Sequence, residues 1–358
     1  MIANTSFVLP EADTKQIEEQ ELQIEEPTGA GLVVDITHAG VCHTDIHVRE
    51  GGYDMGSLGF RRTPGTEYPL TMGHEIAGVV SAVGPDVTER QVGDEVVVYP
   101  WLGCGECEVC ATGMENLCMN ASRYMGIMRP GGYAAKVPVP HEKYAVPLDG
   151  VDPAWAATLA CSGLTAVNAA EQVAGVEGLQ ADDPIVVIGA GGVGLMVVAA
   201  LAAQGQRNVT VLDRSDANFD KAVELGAVRG LVTTDETTSR DVLAELGAAP
   251  AAAVDVVGAG PTMTLAYDLI RKGGRVVPIG LFGGELVLPT PSFALGQKSI
   301  VGNFVGGRRH LDTALELARE GRLPRVPIHE EPMSAESVQT ALDELEAGRS
   351  RGRTVLTR

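Results

Sequence analysis

Two rhythms of apolar and polar positions alternate along the chain. Over residues 1 to about 160, short β-branched runs such as Val33–Ile36, Ile76–Val83 and Glu95–Val98 are separated by Gly84-Pro85 and Gly93-Asp94. Runs of this kind between turn formers predict short strands in a small, loop-rich β domain. From Pro184 to about Gly302 the pattern becomes strand–helix–strand. Ile185–Ile188, Val209–Leu212, Ala253–Val257 and Arg275–Ile279 are largely apolar on both faces, and Val193–Gln204 between the first two reads as a helix. Strands apolar on both faces and alternating with helices predict a doubly wound parallel sheet. Between the two regions, Val151–Ala170 is rich in small residues, and Pro153 predicts a helix start. Leu311–Gly321 and Ala335–Ala347 read as helices, Thr354–Leu356 reads as a strand, and no internal repeat is present.

Length and charge narrow the class. A chain of 358 residues exceeds what one hydrophobic core usually serves, so two domains are expected. The formal net charge of −20 argues against a nucleic-acid or anionic-membrane partner, since both need a basic face. Part of that charge, at Glu18, Glu19, Glu21, Glu25 and Glu26, is expected on solvated faces of early strands. Met1–Pro10 lacks the basic start and apolar run of a signal peptide. The longest apolar run, Val193–Ala203, falls short of a membrane span. Free thiols at metal-ligand spacing without an export signal point to the cytoplasm.

The segment Gly189-Ala190-Gly191-Gly192-Val193-Gly194 follows the strand Ile185–Ile188 and opens a helix, and Asp213 closes the next strand 19 residues after Gly194. A G-x-G-x-x-G run in that context is a dinucleotide-binding fingerprint. Gly189 allows the tight turn, Gly191 the approach of a pyrophosphate and Gly194 close helix–strand packing. The pyrophosphate would sit on the helix N-terminus. Asp213 would accept hydrogen bonds from the adenosine ribose and repel a 2′-phosphate, favouring NAD, while the neighbouring Arg214 softens that preference.

All six cysteines fall into one pattern. Cys104, Cys107, Cys110 and Cys118 form a C-x2-C-x2-C-x7-C run in a glycine-rich loop. Four thiolates saturate tetrahedral zinc, so this site is expected to be structural, with an iron–sulfur cluster as the alternative occupant. The other two, Cys42 and Cys161, lie far from it in sequence, with Gly73-His74-Glu75 between them. A Cys/His/Cys set leaves zinc a fourth position for chemistry. Spacing does not bring these three together, and a buried Cys161 reads equally as a core thiol.

At these residues the chain resembles the zinc-dependent alcohol dehydrogenases of the medium-chain dehydrogenase/reductase superfamily. The signature G-H-E-x2-G-x5-G-x2-V runs from Gly73 through Gly78 and Gly84 to Val87, and Cys42-His43-Thr44-Asp45 matches the first-ligand motif. The cysteine lobe and the glycine fingerprint follow in the family's order, so the resemblance spans essentially the whole chain. It implies an α/β protein, with a GroES-like β-rich catalytic domain built from 1–164 and 303–358 and a Rossmann NAD-binding domain at 165–302. It implies two Zn2+ per chain, a catalytic ion on Cys42, His74 and Cys161 and a structural ion in the four-cysteine lobe. Glu75 would stand near the catalytic ion as a neighbour or alternate ligand, and Asp45 would orient His74.

The implied reaction is reversible hydride transfer between an alcohol and NAD+, giving an aldehyde or ketone. Thr44 would take the alcohol proton and pass it through the nicotinamide ribose to His47. His43 and Arg353 would face the pyrophosphate, and Thr165 would pack on the nicotinamide. A medium-sized or aromatic, primary or secondary alcohol is the expected substrate. Polyol or sugar oxidation is the first alternative, against which Cys161 counts, because several such enzymes carry glutamate there. A non-catalytic cofactor-binding protein is the second, and the intact ligands count against it. The family pairs its sheets through the region of Arg275–Val305, so a homo-oligomer, dimer or tetramer, is expected. The linker Gly51–Thr71, with Tyr53, Met55, Leu58, Phe60, Arg61 and Arg62, reads either as a specificity element or as a surface loop. Trp101, Tyr124, Met125 and Met128 are expected to line the pocket or pack the lobe.

Overall fold

The computed structural model describes residues 1–11, 14–120, 122–350 and 352–358. In chain order the strands are β1 (Ile2–Leu9), β2 (Glu18–Ile24), β3 (Leu32–Val41), β4 (Gly52–Asp54), β5 (Phe60–Arg62), β6 (Leu70–Thr71), β7 (Glu75–Val83), β8 (Glu95–Val98), β9 (Lys136–Val139) and β10 (Ala145–Pro147). They continue as β11 (Ile185–Ile188), β12 (Val209–Asp213), β13 (Arg229–Val232), β14 (Ala252–Asp255), β15 (Arg275–Pro278), β16 (Ser299–Ile300), β17 (Ile328–Pro332) and β18 (Arg353–Thr357).

The parallel sheet runs β13-β12-β11-β14-β15-β16. The sequence steps outward from β11 in both directions, so the strand order reverses between β11 and β14. At such a point the loops beyond the carboxyl ends diverge and leave a crevice for a ligand. The four residues of β11 are all buried, and the helix Gly192–Ala203 behind it is buried along most of its length. This explains why the helix looks apolar on every side.

The β-rich part contains a sheet ordered β10-β8-β7-β3-β18-β17, with β9 also pairing β3. Both ends of the sequence therefore meet in it, and Thr354 pairs with Val41 in the antiparallel ladder of β18 and β3. A smaller sheet is ordered β2-β1-β6. In β2 the glutamates Glu18, Glu19 and Glu21 are exposed while Ile24 is buried, as the solvated-face reading expects.

The expected mixed α/β architecture is present, with element limits moved by a few residues. The helices read at Leu311–Gly321 and Ala335–Ala347 span Arg308–Arg319 and Ala335–Glu346. Three elements near the site carried no sequence signal. The helix His43–Glu50 is short and polar. The linker after Gly51 folds into a hairpin of β4 and β5. The residues Leu159–Gly163 form one π-helical turn between the helices Pro153–Thr158 and Leu164–Ala174. Among the described residues, no helix is long and apolar enough to cross a membrane.

Candidate active site

Three elements bring Cys42, His74 and Cys161 together. Cys42 follows β3 and caps the helix His43–Glu50, His74 immediately precedes β7, and Cys161 lies on the π-helical turn. The two sulfurs are 3.9 Å apart. One ligand atom from each of Cys42, His74, Glu75 and Cys161 lies within 4.8 Å of all the others, and all four residues are buried. The wide π turn carries Cys161 inward from a helix otherwise engaged in packing.

The electrostatics of the cluster suit a cation. The hydrogen bond with Cys161 pulls the Cys42 thiol well below the ordinary range, with His74 and Arg353 assisting against burial. Burial would lower the His74 imidazole, but the Asp45 carboxylate outweighs it and raises the pKa well above the ordinary histidine value. His74 Nδ1 stands 3.2 Å from Asp45 Oδ1, which leaves Nε2 to face the cluster. Burial pushes the Glu75 carboxyl up to about 7, against the pull of Arg353. Two buried polar atoms here, His74 Nε2 and Glu75 Oε1, have no hydrogen-bond partner. An unpaired buried nitrogen beside two convergent sulfurs is costly unless something is bound between them. The donor set of two thiols and one imidazole fits zinc with a position to spare.

Glu75 itself is engaged elsewhere. Its Oε2 accepts from the Arg353 guanidinium, and both side chains are buried. Arg353, expected at the pyrophosphate, thus lies between the metal cluster and the glycine turn. A Cβ added to Gly192 would meet its Cδ at 2.7 Å.

Cys104, Cys107, Cys110 and Cys118 also converge within 4.8 Å. Backbone N–H groups already point at the sulfurs, from Cys104 to Cys118 at 3.2 Å and from Cys107 to Cys104 at 3.3 Å. The Cys110 N–H, with that of Met119, draws the Cys107 thiol down to about 6. Such bonds stabilise thiolates, and a closed four-sulfur cage fits a structural zinc.

A cleft of about 1570 Å3 joins the cluster Cys42–Cys161 to the crevice of the parallel sheet. His43, Thr44, His47 and Thr165 line it on one side, and Gly189, Gly191, Gly192, Val193, Gly194, Asp213 and Arg214 on the other. Gly194 packs so tightly that a Cβ would stand 1.9 Å from Gly189 O, whereas a Cβ on Gly191 would meet nothing within 4 Å. The turn is therefore closed behind and open toward the cleft, which fits a dinucleotide pyrophosphate. The Asp213 carboxylate accepts from Ala190 N–H at 2.6 Å and Ser215 N–H at 3.0 Å, so it buttresses the turn while facing the cleft. His47 meets the Tyr53 ring at a tilt, 5.1 Å between centroids, and stands 3.5 Å from Glu50. Burial keeps its imidazole below the ordinary value, against the pull of Glu50.

Around the cysteines the cleft is walled by aromatic and apolar side chains. Trp101 meets His74 edge-on at 5.4 Å and contacts Tyr124 and Phe304. Its indole N–H donates to Ala160 O at 3.1 Å, one residue before Cys161. Tyr124 and Met128 line the cleft; Met125 is fully buried instead and packs in the core. In the linker the two readings divide by residue: Tyr53 and Met55 reach the cleft, while Leu58 and Phe60 are exposed. Phe304 and Tyr133 stand in no periodic pattern that could have singled them out.

Comparisons of sequence and of structure show what the chain is similar to. The family model described as the alcohol dehydrogenase GroES-like domain matches residues 29–150, and that of the zinc-binding dehydrogenases matches 192–320. An NAD-dependent alcohol dehydrogenase of Sulfurisphaera tokodaii is 33% identical over 347 residues, covering 96% of each chain. A D-arabinose 1-dehydrogenase (NADP(+)) of Saccharolobus solfataricus is 29% identical over 344 residues, 94% of this chain and 93% of that one. The cobalt- and zinc-bound thermostable alcohol dehydrogenase of Pyrobaculum aerophilum superposes with a TM-score of 0.84 at 27% identity, covering 100% of both chains.

Proposed function

The chain belongs to the zinc-type medium-chain dehydrogenase superfamily, and from that premise we propose that it is an NAD-dependent zinc alcohol dehydrogenase acting on medium-sized or aromatic primary or secondary alcohols. The carrying observation is that Cys42 and Cys161, which converge with the buried His74, line the same cleft as the glycine turn and Asp213. In this reading 1–164 and 303–358 form the catalytic domain, and 165–302 the cofactor domain.

Cys42, His74 and Cys161 would hold one zinc, and Cys104, Cys107, Cys110 and Cys118 a second. When bound, the first zinc supplies a Lewis acid for the substrate oxygen and NAD+ supplies the hydride acceptor. The chain's own residues do the rest. Asp45 fixes the His74 ring so that Nε2 faces the cluster. Thr44 Oγ1, 3.9 Å from Cys42 Sγ, is placed to accept the alcohol proton. His47, held neutral by burial and lining the same cleft, would be the base that hands the proton on to water. Trp101, Tyr124, Phe304 and Met128 exclude water and take the carbon skeleton. His43 and Arg353 would bind the pyrophosphate, Thr165 would hold the nicotinamide, and Asp213 would receive the adenosine ribose, with Arg214 beside it; all line the cleft. Glu75 stays with Arg353 and ligates only in exchange.

A sugar or polyol dehydrogenase is the second reading, favoured by the D-arabinose-oxidising relative. The apolar walls around the cluster favour the first. We also infer a cytoplasmic homo-oligomer. Exposed Val287, Phe293 and Leu295 in the region Arg275–Val305 offer the pairing face. The deciding experiment is NADH absorbance across a panel of alcohols, ketones and sugars with NAD+ and NADP+, on protein of known zinc content. Turnover of aliphatic or aromatic alcohols with NAD+ and two zinc ions per chain is expected. Oxidation of sugars alone, or no turnover at all, would overturn the assignment.

A further inference from the structure

Asp45 is fully buried and accepts four hydrogen bonds, two on each oxygen. Oδ1 takes His74 Nδ1 at 3.2 Å and Gly73 N–H at 3.3 Å. Oδ2 takes Cys42 N–H at 3.0 Å and the Tyr133 O–H at 2.9 Å. Three of the donors belong to the two segments that carry Cys42 and His74. Tyr133 comes from a different part of the chain. Its ring lies against Gly73, the residue before His74; a Cβ there would stand 2.7 Å from the Tyr133 ring, and Gly73 has φ +86°. The ring is fully buried, and burial together with Asp45 keeps the hydroxyl protonated. A phenol in that setting serves Asp45 as a donor.

We propose that Tyr133 is a positioning residue for the metal site. Its O–H anchors one oxygen of Asp45 so that the other is presented to His74 Nδ1. By taking up part of the carboxylate charge, it sets how strongly His74 Nε2 donates to a metal. The proposal rests on the reading that Cys42, His74 and Cys161 ligate zinc. Without the phenol, Asp45 Oδ2 loses a donor and the carboxylate leans harder on the imidazole, so His74 becomes the stronger donor and a metal bound there the weaker Lewis acid.

The test compares wild type, Tyr133→Phe and protein with 3,5-difluorotyrosine at position 133. The phenylalanine keeps the ring against Gly73 and removes only the hydroxyl, while the fluorinated phenol keeps the packing and is the stronger donor. Each protein is exchanged with Co(II), and its visible spectrum is read alongside the rate of zinc loss to a chelator and the pH profile of kcat for alcohol oxidation. Tyr133→Phe is expected to shift the cobalt bands, change the rate of zinc loss by about tenfold and move the pH profile upward. The fluorinated protein should move the bands and the profile the opposite way, and it remains informative if Tyr133→Phe does not fold. Cobalt bands of a cysteine-ligated site that are identical in all three proteins, with unchanged zinc loss and pH profile, would overturn the role of Tyr133 alone. Absence of such bands in the wild type would overturn the ligand reading, and this proposal with it.

Discussion

Glu75 and Arg353 form a buried ion pair that connects the residue after His74 to the strand beside the glycine turn. The guanidinium is thus stored against a carboxylate at the edge of the cleft where a pyrophosphate would bind. Arg353→Met removes the cation and should weaken NADH about tenfold or more, the worth of one charge-assisted hydrogen bond. Glu75→Gln releases the guanidinium and should leave NADH affinity equal or improved. Fluorescence titration with NADH measures both, and an equal loss in the two variants would show that Arg353 acts through Glu75 rather than on the cofactor.

Cys161→Ala should abolish turnover, lower the zinc content by about one per chain and leave NADH binding intact, because the alanine keeps the π turn and lies away from the glycine motif. Metal analysis and NADH titration on the same sample read the two effects separately. Retained activity would remove Cys161 from the ligand set.

Cys110→Ser should remove the other zinc. Cys110 is buried, and a Cβ on the neighbouring Gly103 would already press on its sulfur at 2.6 Å, so the lobe has little room to rearrange. The expected readout is a lowered Tm and loss of one zinc with the Co(II) spectrum of the other site unchanged. Loss of an iron chromophore instead of zinc would identify the alternative cluster.

Asp213→Gly should raise the NADP+ to NAD+ ratio of kcat/KM at least tenfold, since the repelling carboxylate is gone and Arg214 remains. The variant should also be less stable by about 1–3 kcal/mol, because the N–H groups of Ala190 and Ser215 lose their acceptor. Steady-state kinetics and denaturant melts test the two halves independently.

His47→Gln should lower kcat for alcohol oxidation severalfold and alter the rising acid limb of the pH profile. In the native protein that limb belongs below the ordinary histidine value of 6.5, because burial lowers the imidazole. A neutral His47 accepts a proton above its pKa and loses that capacity below it. An unchanged acid limb in the variant would exclude His47 from proton transfer.

The sequence carried the chemistry better than the shape of the cleft. The glycine fingerprint and the four-cysteine lobe are local patterns, because their function needs adjacent backbone groups or sulfurs from one loop. The set Cys42, His74 and Cys161 gathers only when β3, β7 and a π turn pack, and one sequence holds no record of that packing. The helix His43–Glu50 was invisible because it is short and polar, and it is held to the helix Ala335–Glu346 by Arg49 pairing with Asp343 and Glu346. Tyr133 and Phe304 lacked any signal, since each matters through one side-chain contact made across the fold.

The pairing of β18 with β3 joins segments far apart in the sequence. The strand that leads into Cys42 gains this neighbour only from residues 353–357. Arg353, the partner of Glu75, lies 278 residues further along the chain. The four-cysteine lobe is contained in one loop. If both sites hold zinc, refolding from denaturant should fill them in order, the lobe first and the cleft only once β18 has docked.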